Sequence, residues 1–270
     1  MIPTDIIDML DDCFHALGEL GAALGEAEWE TATDLPGWSV KDNLSHLVGI
    51  ERMMQGLPGT KHRSGERDYV RNPIGANNEN EVDARRGTPG ADVLKEWNDL
   101  VAVRLATLRG ADDDYFAQPA MTPTGPGTLA DFLHIRVLDC WLHEQDIRRA
   151  VNRPGNLSGP SAEHTIDRLI RTLPIVIGKR AGTPERAAVA IDIVPGVGGG
   201  VQRHLVYEVR EGRAGQVDAP TNPPVASLVL DTESFVVLAS GRRTADTVTA
   251  QVSGDAELAG RILGQLNMMI

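Results

Sequence analysis

Apolar positions recur along the chain with two periods, and the switch between them divides it. From Thr4 to Leu24, Ile6, Ile7, Met9, Leu10, Phe14, Leu17, Leu20 and Leu24 keep close to a helical period. A second helix is predicted from Ser39, a natural N-cap with Asp42 at the third position, to a stop near Gly56-Leu57-Pro58. The helical period resumes in ADVLKEWNDLVAVRLATLRG, closed by Gly110, and again from Thr128, capped with Asp131, to about Val151. Between these helices, residues 57–90 are polar and rich in Gly, Pro and Asn. They predict a long connection that is either a lid or a mobile loop. ADDDYFAQPAMTPTGPG reads as loop. Four helices with two long connections predict a bundle.

Composition shifts at NRPGNLSGP, which predicts a domain boundary. SAEHTIDRLIRTLPIVIG reads as one more helix, and beyond it the period falls to two. RAAVAIDIV and RHLVYEVREG alternate as strands, with the glycine-rich PGVGGGVQ between them as a hairpin turn. No Lys-Ser/Thr follows Gly198–Gly200, which argues against a phosphate loop. ASLVLD and DTVTAQVSG read as strands, TESFVVLASG as a short helix and DAELAGRILGQLNMM as a terminal helix. The second half is therefore an α+β module.

Composition narrows the function classes. The 270 residues carry 26 basic and 38 acidic side chains, a net charge of −12 that disfavours nucleic-acid partners. No apolar run approaches ~18 residues, so no membrane-spanning helix is expected. The two cysteines, Cys13 and Cys140, lie far apart, and the start of the chain lacks a basic segment followed by an apolar run. These features fit a cytoplasmic protein without disulfides.

The chemistry concentrates in RVLDCWLHEQDIRRA. Stepping four and three residues along that helix gives Phe132, Arg136, Asp139, His143, Asp146 and Ala150 on one face, while Val137, Leu138, Cys140, Trp141, Leu142 and Ile147 are apolar. A helix apolar almost all round is buried, so its polar stripe points inward or into a cleft. Asp139 and His143 can share one cation, and His46, set mid-helix between Leu44, Leu47 and Val48, is the best third ligand. On spacing alone the plainer reading is ahead. A buried histidine is more often a hydrogen-bonded core residue, and Asp139 has His143 and Arg136 as alternative partners.

LPGWSVKDNLSHLVGIE (35–51) and HEQDIRRAVNRPG (143–155) resemble the mycothiol-dependent maleylpyruvate isomerase family. LDTESFVVLASGRR and VSGDAELAGRIL are similar to that family's second domain, related to sterol carrier protein. The resemblance implies a DinB-like metal-binding four-helix bundle over residues 1–152 and a smaller α+β sterol-carrier-like domain over 160–270. It implies His46, Asp139 and His143 as ligands of a divalent metal, zinc being the first candidate, with mycothiol as co-substrate. The isomerase carries Glu where this chain has Asp139, one methylene shorter, so coordination or metal differs.

Such a site generates a thiolate that attacks a small electrophile. The first reading is transfer of a low-molecular-weight thiol, and the alternative is thiol-dependent cis–trans isomerisation of the maleylpyruvate type. A non-catalytic metal or apolar-ligand binder and a metal-dependent hydrolase are the rivals. Asp146 either orients a ligand or pairs with Arg149. Arg136 either binds a substrate carboxylate or neutralises the stripe. Arg242, in the SGRR turn, either closes the site or is a solvated helix-end arginine, and Trp38 either lines a pocket or, the reading ahead on its place before the N-cap, staples the helix start.

Overall fold

In the computed structural model, which describes residues 2–267 and 269, the chain forms two compact units, Met1–Pro154 and Gly155–Ile270. Among the described residues no helix is long and apolar enough to cross a membrane.

The first unit is helical. Its long helices are α1 (Thr4–Ala22), α2 (Val40–Met54), α4 (Gly90–Gly110) and α6 (Leu129–Ala150), and a shorter α3 (Pro73–Asp83) packs on α2. α1 packs against α4 and α6, and α2 against α4 and α6. Leu10, Phe14, Leu17, Leu44, Leu47, Trp97, Val137 and Trp141 fill the interior they share. Phe14 meets Trp97 edge-on at 5.2 Å between ring centroids, an arrangement that suits the ring quadrupoles. Both expected capping boxes form. Ser39 Oγ accepts from Asp42 N while Asp42 returns to Ser39 N, and Thr128 with Asp131 does the same for α6. These caps fix where α2 and α6 begin, and hence which turns carry His46 and His143.

Two connections differ from the sequence expectation. Residues 57–90 contain α3, whose N-cap Asn72 accepts from Gly75 N and whose first position is Pro73. Asn-Pro was a readable start signal. It is obscured because α3 buries only Glu79 and Val82, too few positions to show a period. The stretch read as loop before Thr128 holds α5 (Asp113–Ala117) and a hairpin of β1 (Pro119–Thr122) and β2 (Gly125–Thr128).

The second unit is a five-stranded sheet in the order β5-β4-β3-β6-β7, built from β3 (Ala188–Val194), β4 (Arg203–Arg210), β5 (Arg213–Gln216), β6 (Ala226–Asp231) and β7 (Gln251–Gly254). The β3–β6 pair is parallel and the other pairs are antiparallel. α7 (Pro160–Ile170), α8 (Thr232–Ala239) and α9 (Ala256–Gly264) complete the unit. The helix expected to run on to Gly178 ends at Ile170, four residues before Pro174, which has no N–H to continue it; Ile175–Arg180 then forms a π-turn. β5, too short to show alternation, was not expected, and β7 is shorter than DTVTAQVSG suggests.

Candidate metal centre

α2 is buried almost without interruption from Val40 to Glu51, and α6 from Arg136 to Ile147 except at Asp139. The polar groups these helices carry must therefore find partners inside the bundle. His46, from α2, and Asp139 and His143, from α6, each offer a ligand atom within 4.8 Å of the other two. His46 Nε2 lies 3.4 Å from Asp139 Oδ2, and His143 Nε2 lies 3.4 Å from Asp139 Oδ1. Two ligands about 2.1 Å from one tetrahedral zinc would themselves be roughly 3.4 Å apart, so these separations suit a shared ion. Both histidines are buried, whereas Asp139 keeps 27% of its side-chain surface open. The cluster thus has one accessible edge.

Charge is shared unevenly across the cluster. Burial lowers the His46 pKa, the direction that favours the neutral form a metal needs, against the pull of the Asp139 carboxylate. Burial also opposes charge on His143, but the carboxylates of Asp139 and Asp146 outweigh it and raise its pKa. Burial disfavours the Asp139 carboxylate too. The neighbouring His46 and Arg136 charges and the histidine hydrogen bonds prevail, holding it well below the usual carboxylate range.

The outer contacts select one histidine tautomer. His143 Nδ1 lies 2.7 Å from Asn43 Oδ1. Asn43 spends its amide donors on Thr33 Oγ1 and the Ser39 carbonyl, so its oxygen is the atom presented to the ring. His143 therefore carries a proton on Nδ1, which leaves Nε2, the nitrogen facing Asp139, to present its lone pair once deprotonated, the usual arrangement for a ligating imidazole. His46 Nδ1, in contrast, is buried without a hydrogen-bond partner. Asn43→Ala is expected to weaken divalent-ion affinity about ten- to a hundredfold. Titrating chelator-stripped protein with cobalt(II) measures it, and an unchanged affinity would show that Asn43 does not orient the ring.

The structure places the remaining candidates as follows. Asp146 is fully buried, with Oδ2 3.4 Å from His143 Nδ1 and Oδ1 paired with Arg149, whose Nε donates to Asp34 at 2.8 Å. Both contacts foreseen for Asp146 coexist. Arg136 is buried and directs its guanidinium to Glu51, Asp139 and Cys140 Sγ. Of the two roles offered for it, neutralising the stripe is the one its contacts describe. Arg242 belongs to the second unit, where it follows α8 and donates to the Ser240 carbonyl. For Trp38 the pocket-lining alternative is the one its contacts describe. Its ring centroid lies 5.3 Å from that of His46 and 6.0 Å from that of His143, and its Nε1 donates to Glu79. It walls the cluster as well as preceding the Ser39 cap, and with Thr33, Asp34, Asp42 and Arg86 it lines a cavity of about 390 Å³. Cys13 and Cys140 are both buried, and neither is in a disulfide.

Asn43, Glu51 and Glu79 were not singled out in the sequence. Asn43 lies three residues before His46 and shares its face of α2, and a buried amide among apolar neighbours was the available signal. Glu51 and Glu79 gave none, because a glutamate late in a helix ordinarily faces solvent.

A bundle whose buried helices meet at two histidines and a carboxylate, followed by a smaller α+β unit, is consistent with a DinB-like helical domain plus a C-terminal α/β domain. Residues 10–148 match the family described as mycothiol maleylpyruvate isomerase N-terminal domain, and the chain belongs to the mycothiol-dependent maleylpyruvate isomerase family. The crystal structure of the mycothiol-dependent maleylpyruvate isomerase is similar to this chain at 17% identity over 92% of both chains, with a TM-score of 0.53. A histidine-to-alanine mutant of that isomerase is similar at 16% identity over 92% of both chains, with a TM-score of 0.51. At these identities the likeness speaks to the fold. A comparison with curated protein sequences found no match.

Proposed function

We propose that the protein is a divalent-metal-dependent, mycothiol-dependent enzyme that transfers the thiol to a small electrophile. The observation that carries this reading is the convergence of His46, Asp139 and His143, with Asn43 fixing the tautomer of His143. Two imidazoles and one carboxylate suit zinc, and three protein ligands leave a position for a substrate. A divalent cation held there supplies acidity, so that a thiol beside it is ionised at neutral pH. The rest falls to the chain's own groups. His46 and His143 present neutral nitrogens, Asp139 offers one oxygen to each side, and Trp38 keeps water off the two rings. In the transfer, the thiol proton passes to solvent, sulfur bonds to the electrophilic carbon, and the leaving group departs with its electron pair.

The charge around the cluster favours transfer to an uncharged electrophile. Arg136, Arg149 and Arg86 are each paired with carboxylates of the first unit, so that unit directs these guanidinium groups at its own acids rather than at a dicarboxylate. The second reading, isomerisation of the maleylpyruvate type, is supported by family membership. In it the same addition is followed by rotation about the carbon–carbon bond and expulsion of the thiol.

Zinc-loaded protein assayed with mycothiol and a neutral chromogenic electrophile separates these readings. Transfer predicts turnover that needs both metal and thiol and consumes one thiol per product. Conversion of maleylpyruvate with no net loss of thiol would select isomerisation. Turnover that ignores the thiol would sink both.

Proton competition supplies a further expectation. A cation must displace the His143 proton, and that pKa is raised, whereas the His46 pKa is lowered. Metal affinity should therefore climb with pH through and above the ordinary histidine value of about 6.5. Calorimetry in buffers of different ionisation enthalpy should register up to one proton released per ion in that window, fading at higher pH. Affinity that is flat across it would contradict the ligand assignment of His143.

A further inference from the structure

We propose that Glu51 is a positioning residue for the metal centre: it restrains Arg136 so that Asp139 keeps its oxygens for the cation. This rests on the metal reading above. Asp139 Oδ2 is contested, because it faces His46 Nε2 at 3.4 Å and also takes Arg136 Nη1. An unrestrained guanidinium beside that oxygen would bind it as a fork and repel a divalent ion.

The structure supplies the restraint from the opposite side. Arg136 Nε donates to Glu51 Oε1 at 3.0 Å, and its Nη2 lies 2.9 Å from the same oxygen. Two of the three guanidinium nitrogens are thereby turned away from the metal cluster. Glu51 is fully buried on α2, five residues beyond His46. Its other oxygen, Oε2, lies 3.5 Å from Arg104 Nε, and Arg104 Nη1 donates to the Tyr115 hydroxyl at 2.9 Å. Arg104 and Arg136 thus face Glu51 and Asp139 inside the bundle, two positive charges against two negative. Such an arrangement costs desolvation, so its presence is weak evidence for a stabilising role.

The test uses the full chain, stripped of metal with a chelator and titrated with cobalt(II), read by affinity and by the visible ligand-field spectrum. Glu51→Gln keeps the shape and one acceptor oxygen but removes the charge that holds Arg136. It should bind cobalt about ten- to a hundredfold more weakly and with a shifted spectrum. Glu51→Gln/Arg136→Gln removes the restraint together with what it restrains, leaves no unpaired partner of that pair, and should bind within about threefold of the unmodified protein. Should the single variant fail to fold, the double variant decides, and a tenfold loss of affinity in it overturns the proposal. So does a folded Glu51→Gln protein with unchanged affinity and spectrum, provided His46→Ala and His143→Ala lose the metal. Full cobalt binding by those two histidine variants would instead remove the metal reading itself.

Discussion

His143→Ala should abolish both stoichiometric metal and thiol-dependent turnover. The substitution removes one of three donors and also the ring that Asn43 and Asp146 hold in place. Loss of an outer contact alone costs metal sites about ten- to a hundredfold, so loss of a donor should exceed the upper figure. Metal content of protein purified without affinity tags, measured by mass spectrometry, should fall from near one equivalent to background, and kcat/KM should fall by at least about a hundredfold. His46→Ala should match it, since its nitrogen lies 3.4 Å from the same carboxylate. Far-ultraviolet circular dichroism guards against trivial unfolding. Folded His143→Ala protein that retains its metal and its rate would leave a structural histidine pair and no catalyst.

That expectation was largely legible in the sequence. The i, i+4 spacing of Asp139 and His143 in an apolar helix, and a lone His46 inside another, are local facts that survive folding because both helices are capped where the sequence says they are. The closing of the triad across nearly a hundred residues needed the family resemblance, since no periodicity fixes which faces of two helices meet. What stayed hidden was what neighbouring turns supply. Glu51 lies on α2 with nothing local to distinguish it from a solvated polar residue, and the only signal for Asn43 is the helix face it shares with His46. α3 was missed for a related reason: it covers α2 through two buried side chains, one of them Glu79, so its hydrophobic signature is nearly absent. For Trp38 the sequence favours a helix staple over a pocket wall, because chain order shows its place before Ser39 and not the ring distance to His46 and His143.

The same buried charges that serve the site expose the bundle to a second large effect. Arg136→Met preserves much of the side-chain volume but strands Glu51, which has no measurable exposure. Removing one partner of a buried ion pair costs about 3–5 kcal/mol, because the remaining charge has neither water nor counter-ion. Arg104 stays 3.5 Å from the other Glu51 oxygen, which places the expected loss near the lower figure, about 3 kcal/mol. Denaturant unfolding followed by tryptophan fluorescence isolates this effect: Trp29, Trp38, Trp97 and Trp141 all lie in the first unit, so the signal reports that unit alone. Pairing the change with Glu51→Leu should recover most of the loss, since apolar replacements of a whole buried pair are often neutral. A single variant as stable as the unmodified protein would mean that Glu51 finds compensation elsewhere. A double variant no better than the single would mean that the cost of losing Arg136 lies in packing and not in charge.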